Sequence, residues 1–337
     1  MHGFTQIIGQ PKITAHLQKA LRTGNISHAY LLTGERESGA EWIAEAFSAA
    51  LQCEHPVEKE GLLEACGTCL SCAQAQSGSQ PDIIWTEHAK PNTIGVDDIR
   101  KMRSDVQIKP YRSEHKIYIV RDAQKMTPQA QNALLKTLEE PPAYAVILLL
   151  ADGPGTFLPT VLSRCILLQM QPVPETALTQ WLEREKGIPA GKAALYAGFA
   201  GGSLGRAATL AEDPAFGELC AETVEMLRRL PTMDSHDIAQ AAASLAGRED
   251  DLAAVLSFLQ TWYRDVLLCK ALGEADHLIF AEEVQYSKEA AARISYEGLQ
   301  KITEAFDLAA RRRKAGGNAA LILELLFLEI RAQQSGK

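Results

Sequence analysis

Five short apolar runs mark the first half of the chain: Ala29–Thr33, Asp82–Thr86, Lys116–Val120, Ala145–Ala151 and Cys165–Met170. Most are apolar at consecutive rather than alternate positions, the pattern of strands covered on both faces in a parallel sheet. Between them lie stretches with a helical period. Gly39–Gln52 carries Ile43, Ala46, Phe47 and Ala50 on one face, and Pro128–Glu140 carries Ala130, Ala133, Leu134 and Leu138. Thr127 is placed to cap the second of these, Pro128 suits its first helical position, and Pro141-Pro142 stops it. This strand–helix alternation predicts an α/β domain to about residue 171. Pro172 and Pro174 then read as a linker. Beyond them the pattern is helical to the end, with no convincing strand. Two or three short helices over 175–208 are interrupted at Gly201-Gly202, and longer amphipathic stretches follow at Asp251–Leu272, Glu289–Ala315 and Ala319–Gln334. Three domains are expected: an α/β core over 1–171, a small helical domain over 172–210 and a helical bundle over 213–337.

Composition narrows the class. The 337 residues are 46% hydrophobic and 23% charged, enough for packed cores and unlike a disordered or fibrous chain. No run of about 18 uncharged apolar residues suggests a membrane span. Residues 1–10 lack a basic segment followed by an apolar one, so no secretory signal is read there. Seven cysteines, four of them clustered, suit a reducing cytoplasm and a metal rather than a disulfide scaffold. With a formal charge of -8, any nucleic-acid contact must use a local patch or a partner's charge. Two such patches occur. Arg100, Lys101 and Arg103 lie on a helix starting near Val96, diluted by Asp97, Asp98 and Asp105, and read as a solvated face. Arg311–Lys314 precedes Gly316-Gly317, where basic residues favour the end of a helix.

After the first strand comes Gly34-Glu35-Arg36-Glu37-Ser38-Gly39-Ala40-Glu41, with two glycines spaced as in a P-loop. A working loop next needs Lys for the β- and γ-phosphates and Ser or Thr for magnesium. Ala40 and Glu41 occupy those positions. Glu35, Glu37 and Glu41 surround the site with carboxylates, opposed only by Arg36, so phosphate repulsion should outweigh the attraction of the helix N-terminus. The loop reads as a relic, with Gly34 and Gly39 retained and no functional nucleotide site. At the end of Ile117–Val120, where a nucleotide enzyme places an acid for magnesium, stands Arg121. The following Asp122 reads as a turn residue.

Cys53, Cys66, Cys69 and Cys72 form C-x12-C-x2-C-x2-C, inserted between the first long helix and the second strand. Four thiolates suit one tetrahedral zinc, and an all-cysteine set implies a closed structural site with no open position for catalysis. His55 is a substitute donor in principle. Cys165, Cys220 and Cys269 read as small buried hydrophobes.

Several blocks together resemble one family: Ile7-Ile8-Gly9-Gln10, His28–Gly34, the four cysteines, Lys116–Val120, Gln129–Pro142, Leu158–Cys165 and Gly202–Ala207. The chain resembles the delta-prime type of clamp-loader subunit of bacterial DNA polymerase III, in the AAA+ group. The resemblance covers essentially the whole length, and the stretch ending Glu139-Glu140-Pro141-Pro142 with Ser163-Arg164-Cys165 is its most specific part. It implies an AAA+ core with a zinc-binding insertion at about 53–72, a helical lid and a C-terminal collar. It also implies assembly with gamma/tau motor subunits and a delta subunit in a ring of five. Through that ring the chain would meet the sliding clamp and primer–template DNA, as part of the polymerase holoenzyme and with no active site of its own. In the family the arginine of the Ser-Arg-Cys tripeptide reaches a neighbour's nucleotide, so the resemblance assigns Arg164 as a finger acting in trans, flanked by Ser163 and Cys165. Several departures from the motor pattern accompany this. Ala40 and Glu41 replace the loop Lys and Ser/Thr, Arg121-Asp122 replace an Asp-Glu pair, and Gly205 stands where the motors carry a lid arginine. Ala151-Asp152-Gly153 is unlike an ATPase sensor. No ATP binding is expected. The rival readings are an ATP-hydrolysing motor subunit and a freestanding zinc-containing nucleic-acid-binding protein; the acidic balance counts against the latter.

Overall fold

The computed structural model describes residues 3–35, 37–86, 90–247, 251–273 and 278–334. In chain order the strands are β1 (Ala29–Thr33), β2 (Val57–Lys59), β3 (Leu62–Glu64), β4 (Ile83–Trp85), β5 (Lys116–Val120), β6 (Ala145–Ala151) and β7 (Ile166–Gln169). Five of them pair in parallel in the order β4-β5-β6-β1-β7. The five expected strands are all present, each trimmed by a residue or less per end.

Both faces of the sheet are covered, which explains the continuous apolar runs. On one side Leu31, Tyr118, Val120, Ile147 and Leu149 pack with the helices α4 (Val96–Val106) and α5 (Pro128–Glu139). On the other, Tyr30, Leu32, Ile117, Ile119, Leu148 and Leu150 pack with α1 (Pro11–Thr23) and α2 (Ala40–Gln52). Helix α5 starts as its sequence dictates: Pro128 takes the first position and Thr127 Oγ1 accepts the Ala130 N–H at 3.2 Å. The edge strand β7 leaves Ile166 and Leu167 exposed. The remaining helices are α3 (Leu70–Gln76), α6 (Pro159–Leu162), α7 (Glu175–Lys186), α8 (Ala190–Ala200), α9 (Leu204–Glu212), α10 (Pro214–Arg229), α11 (Ser235–Leu245), α12 (Asp251–Leu272), α13 (Val284–Arg293), α14 (Tyr296–Lys314) and α15 (Ala319–Gln334). A parallel α/β core followed by an all-helical remainder is the architecture the sequence predicts.

The chain divides into two compact units, 1–177 with 202–206, and 178–201 with 207–337. The expected 172–210 segment is thus shared between them. The second unit holds its own core, in which Phe258, Trp262 and Phe280 meet edge to face with ring centres 4.7 and 5.1 Å apart.

Two elements differ from the sequence reading. Glu289–Ala315 is not one helix: Ile294 is extended, and Ser295 Oγ caps a fresh start by accepting the Gly298 N–H at 3.0 Å. The short antiparallel hairpin β2–β3, inside the cysteine insertion, was not expected. Its turn is marked by Glu60 and Gly61, both at positive φ (51° and 77°), the pattern of a tight hairpin turn for which Gly61 was the available signal.

Candidate functional site

The loop leaving β1 runs over 34–39 into α2, at the position of a P-loop. Arg36 lies outside the described residues. Glu37 sits at φ 63°, a left-handed conformation that costs a non-glycine residue about 1–2 kcal/mol. Its carbonyl oxygen accepts the Ser203 hydroxyl at 2.7 Å and the Gly205 N–H at 2.8 Å. A phosphate cradle works by presenting N–H groups; this loop instead presents a carbonyl, already taken by two donors of the facing segment. A Cβ at Gly205 would lie 2.5 Å from that oxygen, so an arginine cannot be placed there while the loop keeps this path.

Glu41 Oε1 pairs with Arg121 Nε at 3.0 Å, and the guanidinium stacks 4.1 Å from the centre of the Trp85 ring. By spacing, the two residues stand where a working P-loop would need a hydroxyl and an acid, and here they pair with one another. Asp122, at φ 49°, opens the turn 123–125 and accepts Lys125 Nζ at 2.8 Å. That is the turn role read from the sequence.

Arg164 follows α6, whose last turn holds its backbone: the Arg164 N–H donates to the Val161 carbonyl at 3.1 Å. Its guanidinium is half-exposed and folded back on its own chain. Nη2 pairs with Glu139 Oε1 at 2.9 Å, while Nη1 donates to the Thr160 carbonyl at 3.0 Å and to Ser163 Oγ at 3.3 Å. Pairing with a carboxylate is the ordinary fate of an arginine, and Glu139 was not foreseen as the partner. Burial pushes the neighbouring Cys165 thiol up to about 11, so it stays protonated and inert.

The four cysteines converge. Their sulfurs all lie within 4.8 Å of one another. The Cys53–Cys69, Cys66–Cys72 and Cys72–Cys53 separations are 4.0, 3.9 and 3.6 Å, and four sulfurs about 2.3 Å from a central zinc stand about 3.8 Å apart. Backbone N–H groups point at the sulfurs: Cys66 to Cys53 at 3.2 Å, Cys69 to Cys66 at 3.3 Å and Cys72 to Cys69 at 3.4 Å. The Thr68 hydroxyl and N–H, followed by the Cys69 N–H, hold the Cys66 thiol down to about 5, whereas burial pushes the Cys53 and Cys72 thiols up. Donors aimed at sulfur favour thiolate over thiol, so the residues fit a zinc ion. His55 is not needed to complete the set. The insertion is tied to the core at β3, where Gln18 both donates to and accepts from Leu63 (2.9 and 2.7 Å) and Glu64 accepts the Thr5 N–H at 2.6 Å.

Both basic patches lie on helices. Arg100 pairs with Asp97 at 3.1 Å, and Arg311–Lys314 forms the last turn of α14.

Comparison with known proteins adds the family. The family described as "DNA polymerase III, delta subunit" matches residues 9–174. Over residues 9–174, just under half of its length, the chain is therefore similar to a family of DNA polymerase III subunits. The tau subunit of Bacillus subtilis DNA polymerase III is 39% identical over 163 residues, 48% of this chain and 28% of that one. The tau subunit of Escherichia coli is 32% identical over 180 residues, 53% of this chain and 27% of that one. The chain thus spans little more than a quarter of the length of these two relatives. Among solved structures, a DNA polymerase III gamma subunit-related protein of Thermotoga maritima aligns over 94% of this chain and 99% of its own, with 21% identity and a TM-score of 0.46. No described helix is long and apolar enough to cross a membrane.

Proposed function

We propose that this clamp-loader relative is a non-hydrolysing, delta-prime-type subunit, a stator that completes a neighbour's ATPase site with Arg164 while the ring loads the sliding clamp onto DNA. Its partners in this reading are gamma/tau motors and a delta subunit in a ring of five, acting in the cytoplasm, with primer–template DNA reached through the complex. The observation that carries the proposal is the self-paired nucleotide corner. Ala40 offers no ammonium, Glu41 is bonded to Arg121, and Gly205 is packed on the Glu37 carbonyl, while the block around Arg164 keeps the family's arginine. In the same reading Cys53, Cys66, Cys69 and Cys72 hold one structural zinc, which supplies local folding energy and no chemistry.

A guanidinium suits the finger's task because its planar donors follow charge spread over the phosphoryl oxygens. Such fingers contribute about 10³–10⁵ in turnover elsewhere, here at one interface of the ring. Arg164→Ala should leave folding and assembly intact and lower the DNA- and clamp-stimulated ATPase of the reconstituted complex. Unchanged ATPase by a fully assembled ring, checked by gel filtration, would make Arg164 structural.

The motor reading draws on the tau names of the relatives. Calorimetry of the full chain with ATP and magnesium separates the two: micromolar binding supports a motor, and none is expected. Restoring Ala40→Lys with Glu41→Thr should still not bring turnover, because Arg121 and the crowded Gly205 remain.

A further inference from the structure

The pairing that holds Arg164 is built on two cross-tied elements. Glu139 is the last residue of α5, set there by the burial of Leu134 and Leu138 against the sheet. Arg164 follows α6, whose Val161 is fully buried in the same cluster. The buried side chain of Gln131 bridges the two, accepting the Leu158 N–H at 2.7 Å and donating to the carbonyls of Thr156 and Met126 at 3.0 and 3.2 Å. These ties between the two elements hold Glu139 and Arg164 within reach of one another. Both terminal nitrogens of the guanidinium have partners within the chain.

We infer that Glu139 is a positioning residue for Arg164, parking the guanidinium on its own chain until a phosphate displaces the carboxylate. The inference rests on the trans-acting reading of Arg164. A carboxylate and a phosphate bid for the same fork of donors, so the parked pair lowers the availability of the finger. It also shields Arg164 from stray anions, and the incoming negative charge repels Glu139 as the guanidinium leaves it. The Thr160 carbonyl does not compete in this way, because it is neutral and lies on Arg164's own turn.

The test uses the full chain assembled with gamma/tau and delta subunits. Glu139→Gln keeps the shape and removes the charge. It should raise the unstimulated ATPase about two- to fivefold, the factor expected when one half-exposed ion pair is lost, with little change in the DNA- and clamp-stimulated rate. Glu139→Asp, charged but shorter, should fall between. In an Arg164→Ala background, Glu139→Gln should do nothing. On the isolated chain, phenylglyoxal should modify Arg164 faster in the Glu139→Gln variant, as read by peptide mass mapping. An unstimulated rate and an Arg164 reactivity both unchanged by Glu139→Gln would overturn the inference, and so would an equal effect in the Arg164→Ala background. If instead Arg164→Ala leaves the stimulated rate untouched, the trans-acting reading itself falls, whatever the reactivity of Arg164.

Discussion

The loop after β1 turns its own groups on one another, whereas the cysteine insertion turns four like groups on a common point. In the loop, Glu41 meets Arg121 and the Glu37 carbonyl meets the donors of Ser203 and Gly205. Acid finds base and acceptor finds donor. In the insertion, Cys53, Cys66, Cys69 and Cys72 converge with N–H groups behind them. As thiolates they would repel one another, and the proposed zinc would offset that repulsion. Both regions belong to one unit of the chain and each is secured to the core by hydrogen bonds. The motif spacing of a binding site is therefore a weaker sign of ligand binding than whether its polar groups are already paired.

The largest effect that tests this contrast is removal of the metal. The purified chain should contain one zinc ion, and Cys69→Ser or a strong chelator should release it. Structural zinc is worth about 10–16 kcal/mol to small zinc modules, far more than a hairpin of two three-residue strands can replace. Hydrogen exchange should therefore speed up sharply across 53–76 while β1, β5 and β6 stay protected, since those strands draw their stability from the sheet core. A zinc-free chain with native exchange and four freely reactive thiols would erase the distinction between the two regions.

Next in size are two glycine substitutions. Gly205→Ala places a methyl 2.5 Å from the Glu37 carbonyl oxygen. The atom it meets is backbone, so the loop must move, and a cost of about 3 kcal/mol, the upper part of the overpacking range, is expected. Gly61→Ala in the hairpin meets nothing within 4 Å, and only its φ of 77° opposes a side chain, at about 1 kcal/mol. Urea unfolding of the two variants should rank them in that order. Equal costs would mean that the loop after β1 is not clamped.

What could be read from the sequence was mainly local. Strands, caps, the P-loop spacing and the cysteine cluster each depend on residues close together in the chain, and each appears where expected. The pairings that decide chemistry are not local. Glu41 and Arg121 are brought together from different helix and strand ends, and Glu139 reaches Arg164 only because α5 and α6 pack on one face of the sheet. No residue pattern announces such a contact. The hairpin β2–β3 was missed because its strands are three residues long and half polar, too short for alternation to show. The break before α14 was missed because Ser295 interrupts an otherwise helical composition only through its capping bond.

The smallest expected effect concerns the pair that closes the magnesium corner. Glu41 and Arg121 are 49% and 48% exposed, so solvent screens them, and a double-mutant cycle with Glu41→Gln and Arg121→Ala should give a coupling of about 0.2–1 kcal/mol that shrinks in high salt. Arg121→Ala should cost more than Glu41→Gln, because it also removes the stack on Trp85, worth about 0.5–1 kcal/mol at an exposed site. A coupling above about 2 kcal/mol would show a desolvated pair and a corner closed by strength. With weak coupling, the corner is closed by the sign of its charges and by the missing donors. Neutralising one carboxylate then changes too little: Glu41→Gln still lacks the ammonium at Ala40, the hydroxyl for magnesium and the acid at Arg121. Calorimetry of Glu41→Gln with ATP and magnesium should accordingly register no micromolar binding. Binding by that single variant would mean that one carboxylate alone had been holding the nucleotide out.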